Sequence, residues 1–142
     1  MSKPERSNSE RRSVMDRTVV STDKAPAAVG AYSQAIASGG FVFVSGQLGI
    51  DPAKGALAGD DVVTQTRQAL ANLAAILESA GSSMDAIVKA TIFLADIGDF
   101  KSVNELYAAA FSGDEYPARA AFQVAALPLG GLVEIEAIAL VG

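Results

Sequence analysis

The chain has 142 residues, enough for one domain with a real core, and half of them are apolar. It has no cysteine and no histidine, which excludes disulfides, thiolate nucleophiles, imidazole bases and the usual zinc ligands. Residues 1–17 carry five Lys/Arg against three acids, whereas 18–142 carry six against thirteen, a net charge of −7 that repels a phosphate backbone and argues against nucleic-acid binding by the folded part.

Residues 1–17 read as a disordered N-terminal tail, rich in Ser, Arg and Glu, and 18–142 as a single domain. The tail has no apolar stretch of a secretory signal, and the longest apolar runs are too short to span a bilayer. A soluble cytoplasmic protein with no membrane partner is expected.

Thr18–Ser21 reads as a short strand ended by the turn at Ala25-Pro26-Ala27. Ala31–Ala37 and Phe41–Gln47 read as two more strands, joined as a hairpin through Ser38-Gly39-Gly40. Asp51–Gly59 is a loop. Asp60 or Asp61 then caps a long helix with Val62, Thr66, Ala69, Leu70, Leu73, Ile76, Leu77 and Ala80 at helical spacing, ended by Gly81. Ile87–Leu94 is a strand. Asp99 caps a second helix with Phe100, Val103, Leu106, Tyr107, Ala110 and Phe111 on its inner face. Pro117 blocks helix continuation, and Arg119–Leu127 and Leu132–Val141 are the last strands.

This order predicts an α+β domain, a mixed sheet with two helices on one face. The strands at 87–94 and 132–141 are apolar on both sides, although helices can cover only one. An uncovered apolar face marks a partner surface, so a closed homo-oligomer packed through its sheets is expected.

Without His, Cys or metal, catalysis must use carboxylates, Arg, Lys, Tyr, hydroxyls, backbone groups and water; no carboxylate set has the spacing of a known metal loop. The domain has two arginines. Arg67 lies mid-helix on an expected solvated face. Arg119 opens a strand of small and apolar residues, with Ala121 and Gln123 on its own face. A buried guanidinium needs an anion, either a protein carboxylate or a ligand carboxylate matched by its fork; spacing leaves the two balanced. Glu134 and Glu136 share one face of an apolar strand, where a raised pKa suits a general base; a salt bridge to Arg119 or plain solvation are the alternatives. If the last two strands form a hairpin, Glu134 lies opposite Val124, roughly 17 Å from Arg119, so either the pairing differs or a joint site spans two subunits. Ser45 and Gly46 end a strand in a turn that admits close approach. Tyr32 and Asn104 are single polar residues in apolar elements, more often core groups than ligand contacts.

Taken in order, Gly30-Ala31-Tyr32-Ser33-Gln34-Ala35, Phe43-Val44-Ser45-Gly46-Gln47, Val103-Asn104, Pro117-Ala118-Arg119, Leu127-Pro128 and Val133-Glu134-Ile135-Glu136-Ala137 resemble the reactive intermediate deaminase (Rid, YjgF-like) family over about 18–142. The resemblance implies a chorismate-mutase-like fold and a homotrimer with clefts between subunits. It implies hydrolysis of 2-enamino and 2-imino acids (2-aminoacrylate, 2-iminopropanoate, 2-iminobutanoate) to 2-keto acids and ammonia, without a cofactor. By motif, Arg119 would bind the substrate carboxylate and Glu134 would orient or activate water, with Tyr32, Ser45, Gly46 and Asn104 lining the cleft. Ala120-Ala121 departs from the commoner Ser-Cys, and Ala121 stands where a side chain often touches the ligand; the 112–116 loop is shorter than usual. A non-catalytic carboxylate-binding or regulatory trimer is the main alternative. A ribonuclease or translation inhibitor is a third, opposed by the −7 charge and the missing His.

Overall fold

In a computed structural model, residues 16–142 are described; most of the 1–17 tail, residues 1–15, lies outside the described residues. The first hairpin follows from two glycines. Gly39 and Gly40 both adopt positive φ, 60° and 85°, as a two-residue hairpin turn requires. They join β2 (Ala35–Ser38) to β3 (Phe41–Leu48), with Ser38 opposite Phe41. β1 (Thr18–Val20) pairs with the outer side of β2. The second strand is shorter than its expected start at Ala31, because residues 31–34 are tied by side chains instead: the buried Gln34 Nε2 donates to the carbonyls of Thr22 and Pro26, at 2.9 and 2.7 Å, and its Oε1 accepts from Thr22 N. A small pair, β4 (Ile50–Asp51) and β5 (Ala56–Leu57), occupies the expected 51–59 loop.

α1 (Val62–Ser79) begins where Asp61 accepts from Thr64 N, and Gly81, at φ 76°, follows its last turn. Its buried stripe holds the expected Thr66, Ala69, Leu70, Leu73, Ile76 and Leu77, and also Gln65 and Asn72. Those two amides satisfy loop groups: Asn72 donates to the carbonyls of Leu48 and Ile50, and Gln65 bridges Gly59 O and Leu132 N. β6 is Ile87–Leu94 and α2 is Phe100–Ala109. Asp99 makes no side-chain cap; Asp96 does, accepting from Gly98 N in the 3-10 turn before the helix.

β7 (Ala118–Gln123) and β8 (Val133–Leu140) are shorter than expected, and they are not a hairpin. The six-stranded sheet runs β1-β2-β3-β8-β6-β7, with β7 parallel to β6 and β8 inserted antiparallel between β3 and β6. β6-α2-β7 is a crossover unit, and a helix between two strands of one sheet favours the parallel pairing. Both helices cover one face. The core lies there, with Leu73, Ile76, Ile92, Leu94, Val133 and Ile135 fully buried. The opposite face presents Phe41, Phe43, Phe122 and Leu140 to solvent, 38–49% exposed, with Phe93 edge-on to Phe122.

Candidate active site

Register places Arg119 first. It pairs with Ala90, which pairs with Ala137, and both alanines are buried beneath the helices. Neighbours in register share a face, so Arg119 points toward α2. Its guanidinium donates to Asn104 Oδ1 and lies 5.3 Å from the centre of the Phe100 ring and 5.0 Å from that of Tyr107. Asn104 therefore belongs with Arg119. Phe100, Asn104 and Tyr107 fall at i, i+4 and i+7 on α2, one stripe that wraps the cation on three sides. Among the described residues the hydrogen-bond partner of Arg119 is thus an amide, not a carboxylate. The group opens onto a cavity of about 460 Å³ lined also by Tyr107, Ala108, Tyr116 and Pro117. Ala121 shares the Arg119 face, opposite Ile92, and packs against the core.

Glu134 lies elsewhere. It is opposite Phe93 and Leu48, not Val124, and alternates with buried Val133 and Ile135, so it points to the face without helices. Within one chain, Arg119 and Glu134 thus project from opposite faces of the sheet. Three residues along β6 and two strands across put their backbones about 14 Å apart.

The remaining candidates gather around Glu134. β3 bulges between Val44 and Gln47, setting Ser45 and Gly46 against the single residue Glu136. At Gly46 the Glu134 carboxylate occupies the space where a β-carbon would go, which only glycine permits. Ser45 Oγ donates to Ser33 O at 2.6 Å and Ser45 N to Gln34 O at 2.9 Å, fixing the Tyr32 loop beside the bulge. Tyr32, half exposed, lines a second cavity of about 350 Å³ with Ser33, Phe43, Ser45 and Arg17. Partial burial raises the Glu134 pKa, and the neighbouring Glu136 charge raises it further, so the carboxylate is suited to take and return a proton. The candidates thus fall into two groups, Arg119 with Asn104 under α2, and Tyr32, Ser45, Gly46 and Glu134 on the open face. Phe100, Tyr107, Tyr116 and Pro117 were not among the candidates read from sequence. For Phe100 and Tyr107 a sign was present in their spacing around Asn104; Tyr116 and Pro117 are brought in by the loop.

Known proteins resemble this chain over nearly the whole domain. Residues 22–141 match the family model described as Endoribonuclease L-PSP. A 2-iminobutanoate/2-iminopropanoate deaminase of Capra hircus is 54% identical over 126 residues, 89% of this chain and 91% of its own. The solved structure of a Rid family protein of unknown function from Yersinia pestis superposes with a TM-score of 0.87 at 48% identity, over 89% of this chain and all of that one. That of TdcF from E. coli with bound serine gives 0.83 at 40% identity, over 88% and 99%. A match across nearly the whole domain, at about half the residues, is decisive: this chain belongs to the L-PSP family, the Rid or YjgF-like proteins.

Proposed function

We propose that the protein hydrolyses 2-imino acids, and the 2-enamino acids that tautomerise to them, to 2-keto acids and ammonia. We further propose that it does so in the cytoplasm as a homotrimer whose sites form between copies. The observation that carries this reading is the Arg119 guanidinium, held by an amide and two aromatic rings and open to a cavity. Such a cation recognises a carboxylate in bidentate fashion. The deaminase name of the Capra hircus relative and the serine bound by TdcF, an amino acid with the same carboxylate, support the substrate class.

The chemistry is modest. The imine carbon is already electrophilic, so positioning and one proton carrier suffice. Arg119 fixes the carboxylate, and Asn104 fixes Arg119. Glu134 takes a proton from water as its oxygen bonds to the imine carbon, then returns it to nitrogen. Glu134 then carries the carbinolamine's hydroxyl proton to the nitrogen as the C–N bond breaks and C=O forms, releasing the keto acid and ammonia and consuming one water and no electrons. Metal and cofactor are not called for. No helix among the described residues is long and apolar enough to cross a membrane, and the −7 body disfavours nucleic acid as partner.

The opposed faces of Arg119 and Glu134 support a composite site. The exposed phenylalanines supply a surface that would bring a second copy's Arg119 edge to the first copy's Glu134. The test couples the protein to an enzyme that generates 2-aminoacrylate and follows pyruvate. Acceleration over buffer is expected, lost in Arg119→Ala; no acceleration, or an equally fast variant, sinks the reading. Tight 2-oxobutanoate binding without turnover would instead support the regulatory alternative.

A further inference from the structure

One polar atom beside Arg119 has no use in that mechanism. Tyr107 is 2% exposed, and among the described residues its hydroxyl has no hydrogen-bond partner. A buried hydroxyl left unpaired destabilises a folded chain, and phenylalanine would fill the same space without that cost. The ring packs edge-on to Phe111, 4.9 Å between centroids, and also lies against the Arg119 guanidinium. Tyr107 also lines the cavity onto which Arg119 opens.

Asn104 and Tyr107 stand one helical turn apart and flank the same cation. Asn104 offers an acceptor, which Arg119 uses. Tyr107 offers a donor, which no group among the described residues accepts. We propose that Tyr107 is a further substrate-positioning residue, its hydroxyl donating to the carboxylate that Arg119 holds, so that the ligand supplies the acceptor the protein lacks. This rests on the reading of Arg119 as a carboxylate anchor. Two oxygens gripped by the guanidinium fork still allow the ligand to rock about that axis. A third donor from the ring beside the fork removes this freedom and aims the imine carbon. Burial raises the Tyr107 pKa against the opposing pull of Arg119, which keeps the donor proton in place at working pH. The stability lost to the orphaned hydroxyl is then retained for binding.

Tyr107→Phe tests this with three readouts: thermal unfolding, calorimetric binding of 2-oxobutanoate and of its neutral amide, and the kcat and KM of imine hydrolysis. The expected result is an unchanged or raised Tm, 2-oxobutanoate binding weakened on the order of tenfold, nearly unchanged amide binding, and a raised KM. Equal 2-oxobutanoate affinity in the two proteins overturns the proposal, because the hydroxyl is then only an unpaired core group. A lowered Tm also overturns it, since the hydroxyl must then have a protein partner in the assembled molecule. Wild type that binds 2-oxobutanoate but never turns over imine refutes the deaminase reading and leaves this inference standing. Active wild type with an indifferent variant does the reverse.

Discussion

If Arg119 and Glu134 meet only across two copies, mixing two dead proteins must give a live one. The backbone positions lie about 14 Å apart within a chain and the side chains leave opposite faces, so no rotamer joins them. Arg119→Ala and Glu134→Gln should each lose on the order of a hundredfold or more in kcat/KM. Unfolded together in equal amounts and reassembled, they place an intact Arg119 against an intact Glu134 in about one site in four, for any closed ring of copies. Activity should therefore recover to about a quarter of wild type. A second mixture sharpens the result. Wild type reassembled with the double variant gives about a quarter of full activity if each site draws on two chains, and about half if each chain holds its own site. Initial pyruvate release after refolding, normalised to protein, reads both. A silent first mixture with a half-active second one would refute the composite site.

Gly46→Ala should fold, because the clashing atoms are the movable end of Glu134, yet lose about a hundredfold in kcat as that carboxylate is pushed aside; steady-state kinetics with a circular-dichroism control decides it. In an Arg119→Ala background, where no facing guanidinium offsets burial, Glu134→Gln should stabilise the protein at neutral pH. A carboxyl whose folded pKa lies above its ordinary 4.5 disfavours folding as pH rises through that interval, so the variant's gain in Tm should appear above pH 4.5, level off beyond the folded pKa and vanish in acid; a gain that grows toward acid would contradict it. Gln34→Ala leaves several buried loop groups unpaired and should cost about 2–3 kcal/mol in urea unfolding, with KM raised through the loosened Tyr32 loop.

The helices were legible because their signals are local: Asp61 and Gly81 bracket α1, and β6 has the bounds its apolar run suggests. The pairing of the last strands was not, because a Pro-Gly turn between two apolar runs looks like a hairpin wherever it occurs. The deciding sign lay upstream, in the helix between β6 and β7, which makes a parallel crossover the natural pairing. The cap before α2 failed for a related reason. Asp96 and Asp99 are both suitable residues, and only the 3-10 turn between them decides which is used. Arg119, Glu134, Tyr32, Ser45, Gly46 and Asn104 could be picked out singly by residue type, and only the resemblance grouped them. Arg119 read as a cation wanting an anion, and spacing alone said nothing of the Asn104 amide or of the rings that hold it. The roles of Gln34, Gln65 and Asn72 escaped notice because polar residues at core positions look like errors in an apolar pattern until the loop carbonyls they serve are known.

The central place of β8 connects assembly to chemistry. An edge strand could have carried Glu134 into water, where its pKa would be ordinary and its charge well solvated. Between β3 and β6 it lies instead on an apolar field, with Gly46 below it and Phe93 beside it, and already holds its proton more tightly than a free carboxyl. A second copy covering that field would remove more water and push the same way. Arg119 of a second copy, brought there, would push the other way until a substrate carboxylate neutralised it. On the composite reading, substrate binding then restores the basicity of Glu134 just when a proton must be taken from water, and an empty site keeps the same carboxylate less basic.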